Sequence, residues 1–464
     1  MSEAMSRRSL GVVVISSLVL GGCVSVYHRP DLGLPDRFAH STAYEAQPSL
    51  NEPWWRAVGD AGLDRLVARA LASNRDLAVA ALTVRRARRL AGLAELDQWP
   101  TASASIVGTR TGSVSSYSAN LSVAYDVDLW RRLASTTTAA RWEAQATSQD
   151  RDAARLALTG TACSLYWDIG FTHQQITTGE ATLRDQQKIY KIVTTQHALG
   201  AISEVEAAEA QQAVSLQLTS LSALQQHLVE DRAAMTVLLG GGNLAPDAEP
   251  QDLTGGGAPD VRAGLPIQLL AQRPDLKAAE MRLRETLATG DATRASYYPD
   301  IVLTASGGGA SSALGSLLAH PVGALMGAVS APFLDFPRHR INNEVARMNY
   351  EIAVLGFKTT LFQALADTDN ALSNRTELLH QEVSLSQTLT AATTAERLYG
   401  IRYRSGLVAL RIWLEAQQSQ RAAQLAMDSN RLAQLNNFGV LSLALGGGMS
   451  TQPTTQLPDI DARP

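Results

Sequence analysis

Three glutamates lie shortly after two glycines at which the chain is expected to turn. Glu206 and Glu209 follow Gly200 and are about one helical turn apart, and Glu415 follows Gly406 in the same way. Carboxylates that are gathered around one axis attract cations and repel one another. Their chemistry would therefore be electrostatic. The alternative interpretation is that each glutamate is an ordinary solvated helix charge.

The sequence contains no arrangement of residues that suits catalysis. The eight histidines are scattered, and there is no zinc-binding helix motif, phosphate-binding loop or nucleophile elbow. The eight methionines are not clustered, which disfavours a relay for copper or silver. The net charge is −4, so nothing favours nucleic acid as a partner. We expect no catalytic residue, no cofactor, no bound metal and no enzymatic activity.

The N-terminus predicts an exported, lipid-modified chain. Arg7 and Arg8 precede an apolar run over 10–20, which is too short to span a bilayer and is typical of a secretory signal. Gly21, Gly22 and Cys23 follow the run, and Leu20-Gly21-Gly22-Cys23 resembles a bacterial lipobox, in which the cysteine receives the lipid. Val24 after the cysteine resembles lipoproteins that are sent to the outer membrane. An ordinary signal peptide with an incidental cysteine is the alternative.

An internal duplication organises the rest of the chain. The motif Glu-Ala-Gln-Gln at 209–212 returns at 415–418, and Leu-Gly-Gly-Gly at 239–242 returns at 445–448. The offset is 206 residues in both cases and also separates Gly200 from Gly406. Such a constant displacement indicates two copies of one structural unit.

Each repeat is predicted to be mainly helical. In the first repeat we expect a helix from Leu63 to about Ala94 with mild interruptions at Asn74 and Asp76, a long helix from about Arg131 to His197 and a third from about Ser203 to Leu238. In the second repeat the corresponding helices are expected near 266–295, 341–399 and 409–443. A seam of apolar residues seven apart supports close helix packing in the third helix, formed by Val214, Leu221, Leu228 and Met235. Arg85, Arg86, Arg88 and Arg89 are interpreted as a solvated or ion-paired helix face.

Two pairs of strands are predicted at matching places in the repeats. Pro100 and Pro299 end the helices that precede them. We expect strands near 101–109 and 120–129 around a loop at 111–118, and again near 300–306 and 326–334. Four strands cannot close a barrel in a membrane, since about eight are the fewest known. An open sheet in lipid leaves backbone groups unpaired, so strands must be pooled between copies.

Several motifs resemble the outer-membrane efflux channels, the TolC-like family, and within it the lipoprotein branch of NodT-type factors. The resemblance covers nearly the whole mature chain. It rests on Trp54-Trp55 with Asp60 and Leu63, on 264–270, on Arg273-Pro274-Asp275-Leu276, on 403–417 and on 444–448.

The resemblance implies a homotrimer in the outer membrane. Its fold is mainly α with a transmembrane β part, a trimeric 12-stranded β-barrel with four strands per chain continued by a long α-helical barrel. It implies docking on a periplasmic adaptor and an inner-membrane pump, with outer-membrane lipids around the barrel and the helical barrel in the periplasm. The function implied is efflux of small molecules or drugs.

The resemblance also assigns roles to residues near the two turns. Glu206, Glu209, Tyr403 and Glu415 match gate positions, with Tyr403 as a latch that hydrogen-bonds across helices. Ile412 departs from the acidic pattern. Two turns are implied as adaptor contacts: Leu199, Gly200, Ala201 and Ile202, and Ser405, Gly406, Leu407 and Val408. Trp413 is interpreted as a packed apolar residue.

The expected organisation is a signal peptide at 1–22, a lipid-anchored extension at 23–60, repeats at 61–242 and 265–448, a linker at 243–264 and a disordered tail at 449–464. Two other functions stay open. One is a duct for type I protein secretion, and the other is a lipid-anchored periplasmic coiled-coil scaffold without a pore.

Overall fold

A computed structural model describes residues 25–40, 53–242, 248–253, 258–261, 264, 266–319, 321–330 and 335–447. The chain divides into two compact units, and each contains parts of both sequence repeats. The first unit takes in residues up to Gly33, Ala80–Arg151 and Asp275–Leu361. The second takes in Leu34–Val79, Asp152–Pro274 and the residues from Phe362 onward. Cys23, the signal peptide and the tail at 449–464 lie outside the described residues.

The first unit contains one antiparallel sheet of four strands in the order β1-β2-β3-β4. The strands are β1 at Thr101–Thr111, β2 at Val114–Asp126, β3 at Asp300–Ser311 and β4 at Val322–Ser330. The two repeats meet at the pairing of β2 with β3, where Ser122 lies opposite Ser306. The predicted four strands per chain, two from each repeat, are confirmed.

The loop predicted at 111–118 was wrong. Thr111 pairs with Val114, so only Gly112 and Ser113 connect β1 to β2, and Gly112 adopts a left-handed φ of 62°. A turn of two residues needs such a conformation, which glycine adopts without steric cost. The Ser-rich stretch after Val114 belongs to β2, and β2 ends at Asp126 rather than at residue 129. The third strand begins at Asp300 as predicted but ends at Ser311 rather than at residue 306, and the fourth begins at Val322 rather than at residue 326. The predicted strand residues 331–334 lie outside the described residues.

Eight α-helices are present in the described residues. The first repeat supplies α1 at Ala61–Ser73, α2 at Arg75–Leu96, α3 at Arg132–Ala198 and α4 at Glu204–Leu238. The second supplies α5 at Leu269–Gln272, α6 at Pro274–Ala295, α7 at Phe336–Arg404 and α8 at Leu410–Ala444. The helices α4 and α8 each have 35 residues, and their first residues are 206 apart. The duplication predicted from the sequence is therefore confirmed in the helix boundaries.

The two predicted helices that precede the strand pairs are each broken once. Asn74 is extended between α1 and α2, and its side chain donates to the Leu238 carbonyl and accepts from the Leu77 amide. Arg273 is extended between α5 and α6 because the next residue is proline, which disfavours the helical conformation before it. The sequence did predict Asn74 as an interruption but missed the break at Arg273.

The heptad seam of α4 is confirmed, since Val214, Leu221, Leu228 and Met235 are all buried. In α8 the apolar spacing is less regular, and Leu425 is 45% exposed. Cys163 is buried and unpaired, as expected for a small apolar residue, and burial raises the pKa of its thiol.

The core of the second unit includes an aromatic cluster around Trp54. The Trp54 ring contacts Trp167 and Phe438 edge-on, with centroid distances of 6.4 and 5.5 Å. Nearby, Asp60 caps α1 by accepting from the Gly62 and Leu63 amides, and it also accepts from the Tyr166 hydroxyl at 3.0 Å. These residues of the sequence motif therefore act in packing and helix capping. No helix among the described residues is both long and apolar enough to cross a membrane.

Candidate functional site

The two turns that carry the candidate site have the same backbone structure. After α3, the Ala201 amide donates to the Gln196 carbonyl and the Gly200 amide to the His197 carbonyl. After α7, Leu407 and Gly406 donate to Arg402 and Tyr403 in the same pattern. These are Schellman motifs, which require a left-handed residue, and Gly200 and Gly406 have φ of 72° and 70°.

The predicted contact residues of the turns divide into outward and inward positions. Leu199 is 79% exposed and Leu407 is 74% exposed, although neither is polar. Ile202 and Val408 occupy equivalent places in the two repeats and are both half-buried. Each turn therefore carries an exposed leucine, and Ile202 packs on the buried cluster of Val193, Ala210 and Leu410.

The second unit brings the ends of the two helical hairpins together. Val193 of α3, Ala210 of α4 and Leu410 of α8 form one buried cluster. Ile202 and Tyr403 are among the half-buried residues that pack on it. Ile202 of the first repeat and Tyr403 of the second are therefore neighbours within one chain.

Glu206 has a structural partner that the sequence analysis did not consider. Its carboxylate accepts from the Ser203 amide at 2.9 Å and from the Ser203 hydroxyl at 3.2 Å, which completes a capping box at the start of α4. At the equivalent places in the second repeat stand Ala409 and Ile412, and α8 has no side-chain cap. The second repeat therefore lacks both the acidic residue, which is replaced by Ile412, and the side-chain cap of its helix. The motif Ser-x-x-Glu could have revealed this role.

Tyr403 is half-buried and stacks on Trp413, with ring centroids 5.2 Å apart and planes 24° apart. Burial raises the pKa of Tyr403, and the nearby negative charge of Glu206 raises it further. The predicted hydrogen bond of Tyr403 across helices is not formed to any residue in the described part of the chain. Stacking takes its place.

The hydrogen bond between helices comes instead from Trp413. Its indole nitrogen on α8 donates to Glu396 on α7 at 2.9 Å. The ring lies over Gly400, where a Cβ atom would approach the indole nitrogen to 3.0 Å. Trp413 is therefore packed, as predicted, but it also joins two helices through a polar contact. Sequence reasoning missed Glu396 because nothing in its local pattern distinguishes it.

Glu209 and Glu415 occupy equivalent positions, 206 residues apart. Glu415 is exposed and forms an ion pair with Arg411, one turn earlier on α8. Glu209 is half-buried and makes no hydrogen bond or ion pair to the described residues. Within the part of the chain that the structure covers, no such contact joins any two of the three glutamates. Their grouping within one chain is therefore loose.

Known sequences identify the protein family to which this chain belongs. The profile of the family described as outer membrane efflux protein matches residues 66–241 and 265–447. The chain belongs to this family. The two matched ranges each contain one of the repeats, including both turns and all four candidate gate residues.

Individual relatives of this outer membrane efflux protein match over almost their entire length. The toluene efflux pump outer membrane protein TtgC of Pseudomonas putida is 28% identical over 467 residues, covering 96% of each chain. The cation efflux system protein CusC of Escherichia coli is 28% identical over 449 residues, covering 93% of this chain and 97% of its own.

Solved structures agree with the fold. The Neisseria gonorrhoeae MtrE outer membrane channel in its open state has a TM-score of 0.83 at 26% identity, covering 92% of this chain and 98% of its own. The outer-membrane channel OprN has a TM-score of 0.82 at 23% identity, covering 91% and 98%. The protein is an outer-membrane efflux channel, as the sequence resemblance predicted. Members of this family transport solutes and are not enzymes.

Proposed function

We propose that three copies of the chain form one duct through the outer membrane. The observation that carries this proposal is the open sheet. Strand β1 is exposed along all of its eleven residues and β4 along all of its nine, and both are edge strands. Long exposed edges present unpaired backbone groups, which lipid does not tolerate.

Closure by copies satisfies both edges at once. The four strands alternate in direction, so β4 of one copy can pair antiparallel with β1 of the next. Three copies would contribute about twelve strands, which lies within the range of known membrane barrels. The helices that continue from the strands would then form a helical barrel in the periplasm.

The duct would work between an inner-membrane pump and the exterior, with a periplasmic adaptor at the two turns. The support is the exposed apolar side chains of Leu199 and Leu407. A photo-crosslinking residue at Leu407 should capture the adaptor in cells. The same residue at Leu216, equally apolar and 63% exposed on α4, is the control. Equal capture at both positions would contradict the turn as the docking point.

The lipid anchor proposed at Cys23 would leave the chain close to the sheet. Ser25 donates from its amide and hydroxyl to Asp291, at 2.9 and 2.8 Å. Asp291 is only 3% exposed and lies one turn before the end of α6, which leads into β3.

A second contact holds the same segment to α6. Arg29 pairs with Glu280 at 2.7 Å, and Arg284 donates to the same carboxylate. Burial alone would raise the pKa of Glu280, but these hydrogen bonds outweigh it, and the pKa is lowered. The segment at 25–29 therefore pairs with two buried carboxylates of α6.

The solutes exported are proposed to be small molecules. Relatives of similar identity are named for toluene efflux, cation efflux and pyoverdine export. Because such different solutes are served by related channels, we expect the pump rather than this chain to select the substrate.

The gate is proposed to lie at the turns, with Glu209 and Glu415 forming rings of carboxylates around the duct. Replacing both by glutamine removes the rings while keeping side-chain size. In planar bilayers with a salt gradient, the reversal potential of the double variant should move toward zero, because cations lose their preferred path. Arg411→Gln, which removes the ion-pair partner of Glu415 but keeps the acid, is the control. An unchanged reversal potential in the double variant would remove the acidic gate.

Trimer formation is tested separately on the detergent-extracted protein, by native mass spectrometry and by SDS gels run before and after heating. A β-rich trimer that resists SDS until it is heated is the expected result. A monomer would contradict the duct and favour the scaffold without a pore.

A further inference from the structure

The helix α2 carries an exposed face that combines leucine with arginine. At about 100° per residue, positions 82, 85, 89, 93 and 96 fall within about 80° of one another. Leu82, Leu93 and Leu96 on this face are each more than half exposed. Arg85 and Arg89 lie between them and make no hydrogen bond or ion pair to the described residues. A face that combines exposed leucine with arginine is complementary to a surface that is apolar and acidic.

The first part of α7 carries a surface with the complementary character. Val345, Met348, Ile352 and Leu355 follow the three-and-four spacing of a helix seam, and all four are exposed. Glu344 and Glu351 immediately precede the first and third of these residues. In packed helices such flanking positions form ion pairs with the neighbouring helix. Each glutamate already pairs with an arginine one turn earlier, at 3.7 and 3.3 Å, but a carboxylate can accept several hydrogen bonds.

Both faces continue from the open edges of the sheet. The helix α2 leads into the edge strand β1, and α7 follows the edge strand β4. The proposed duct joins β4 of one copy to β1 of the next, so α7 of one copy would lie beside α2 of its neighbour. Each helix face is thus placed next to the only strand edge that is left open on its side of the sheet in the described chain.

Arg89 and Glu344 lie at similar depths below the sheet. Arg89 is seven residues from the end of α2 and Glu344 is eight from the start of α7, or about 10 and 12 Å at 1.5 Å per residue. Arg85 and Glu351 lie deeper, at about 16 and 22 Å. The better match is therefore between Arg89 and Glu344.

We propose that α2 of one copy docks on the first part of α7 of a second copy, with Arg89 bound to Glu344 and Arg85 to Glu351. The leucine face of α2 covers the apolar seam of α7, and the ion pairs fix the axial register of the two helices. This proposal deepens the proposed trimer by naming the residues that align one copy on the next.

Disulfide cross-linking tests the contact directly. The full-length chain with Arg89→Cys and Glu344→Cys should form covalent dimers and trimers on mild oxidation in membranes. Arg89→Cys with Thr359→Cys is the matched control, because Thr359 is exposed on the same helix but about 35 Å from its start. Cross-linking in the control at the same yield would overturn the proposed register.

A charge exchange tests the ion pair itself. Arg89→Glu and Glu344→Arg should each lower the temperature at which the SDS-resistant trimer dissociates, and the two together should restore it. Native mass spectrometry of every variant reports whether trimers form. Trimers without cross-linking and without restoration would overturn this inference and leave the duct intact. A wild-type chain that is monomeric would overturn the duct as well.

Discussion

The two helical hairpins end in turns that have one backbone and two sets of side chains. Gly200 and Gly406 adopt nearly the same φ and close the same pattern of hydrogen bonds. The first turn continues into a capping box of Ser203 and Glu206, whereas the second continues into Ala409 and Ile412. A local hydrogen-bonded cap therefore stabilises only the first of the two.

The second turn is stabilised by contacts between its helices instead. Trp413 of α8 stacks on Tyr403 of α7 and donates to Glu396 of the same helix. These contacts join side chains on two helices, so they are lost when the helices separate. The duplicated turns have therefore kept the same backbone, while the side-chain contacts that stabilise them have diverged. We infer that the second hairpin depends more than the first on a few aromatic contacts.

The largest expected effect follows from removing the Trp413 side chain. Trp413→Ala should destabilise the second hairpin locally by about 2–3 kcal/mol, near the low end for aromatic truncation because the ring is half-buried. Amide hydrogen exchange should speed up more over 398–416 than over 195–210, because Trp413 lies in the second hairpin and only packs on the cluster that the two hairpins share. Trp413→Phe keeps the stacking and loses the hydrogen bond, so it should cost only about 1 kcal/mol. Equal changes in hydrogen exchange in both hairpins would show that Trp413 does not stabilise the second hairpin selectively.

A smaller effect is expected from the helix caps. Ser203→Ala should destabilise the first turn by about 1 kcal/mol, which exchange over 200–210 would report. In the second repeat Ala409 has the extended conformation of a cap residue, with φ of −69° and ψ of 153°. Ala409→Ser should therefore protect the start of α8 by a few tenths to about 1 kcal/mol. A loss of protection there would show that the missing cap is not what distinguishes the turns.

The smallest effect concerns alkaline pH. The raised pKa of Tyr403 means that the folded chain binds its proton more tightly than the unfolded chain, whose tyrosines have a pKa near 10.0. The stability that this group contributes is complete below that pH and is lost as pH rises through the folded value. Exchange over 398–416 should thus increase at high pH beyond the intrinsic rate, and Tyr403→Phe should remove that excess. The first hairpin has His197 at the equivalent place and should lack it.

The sequence could predict the repeat and the helices because those features have long-range regularity. The offset of 206 residues locates both turns, and the seam ending at Met235 predicts the buried face of α4. The strand limits could not be predicted as well. Strand β1 is exposed along its whole length in one chain, so no alternation of apolar and polar residues marks its extent.

The candidate site shows the same division between local and distant information. The partnership of Ser203 with Glu206 is a local motif that the sequence contains in full. The contact of Trp413 with Glu396 is formed across the hairpin, between residues 17 apart. The positions of Trp413 and Glu396 in the sequence, on either side of Gly406, place them on adjoining helices. Only the structure shows that their side chains are in contact.

Liposome swelling measures directly whether the protein conducts small solutes as an efflux channel. Wild-type protein, purified as a folded trimer and reconstituted into liposomes, should let small sugars enter and make the vesicles swell. A crosslinker joining the two turns of each copy to those of its neighbours should reduce the rate. Vesicles that contain folded trimers and remain impermeable to every small solute, with or without the purified adaptor, would contradict the account of this chain as an efflux channel.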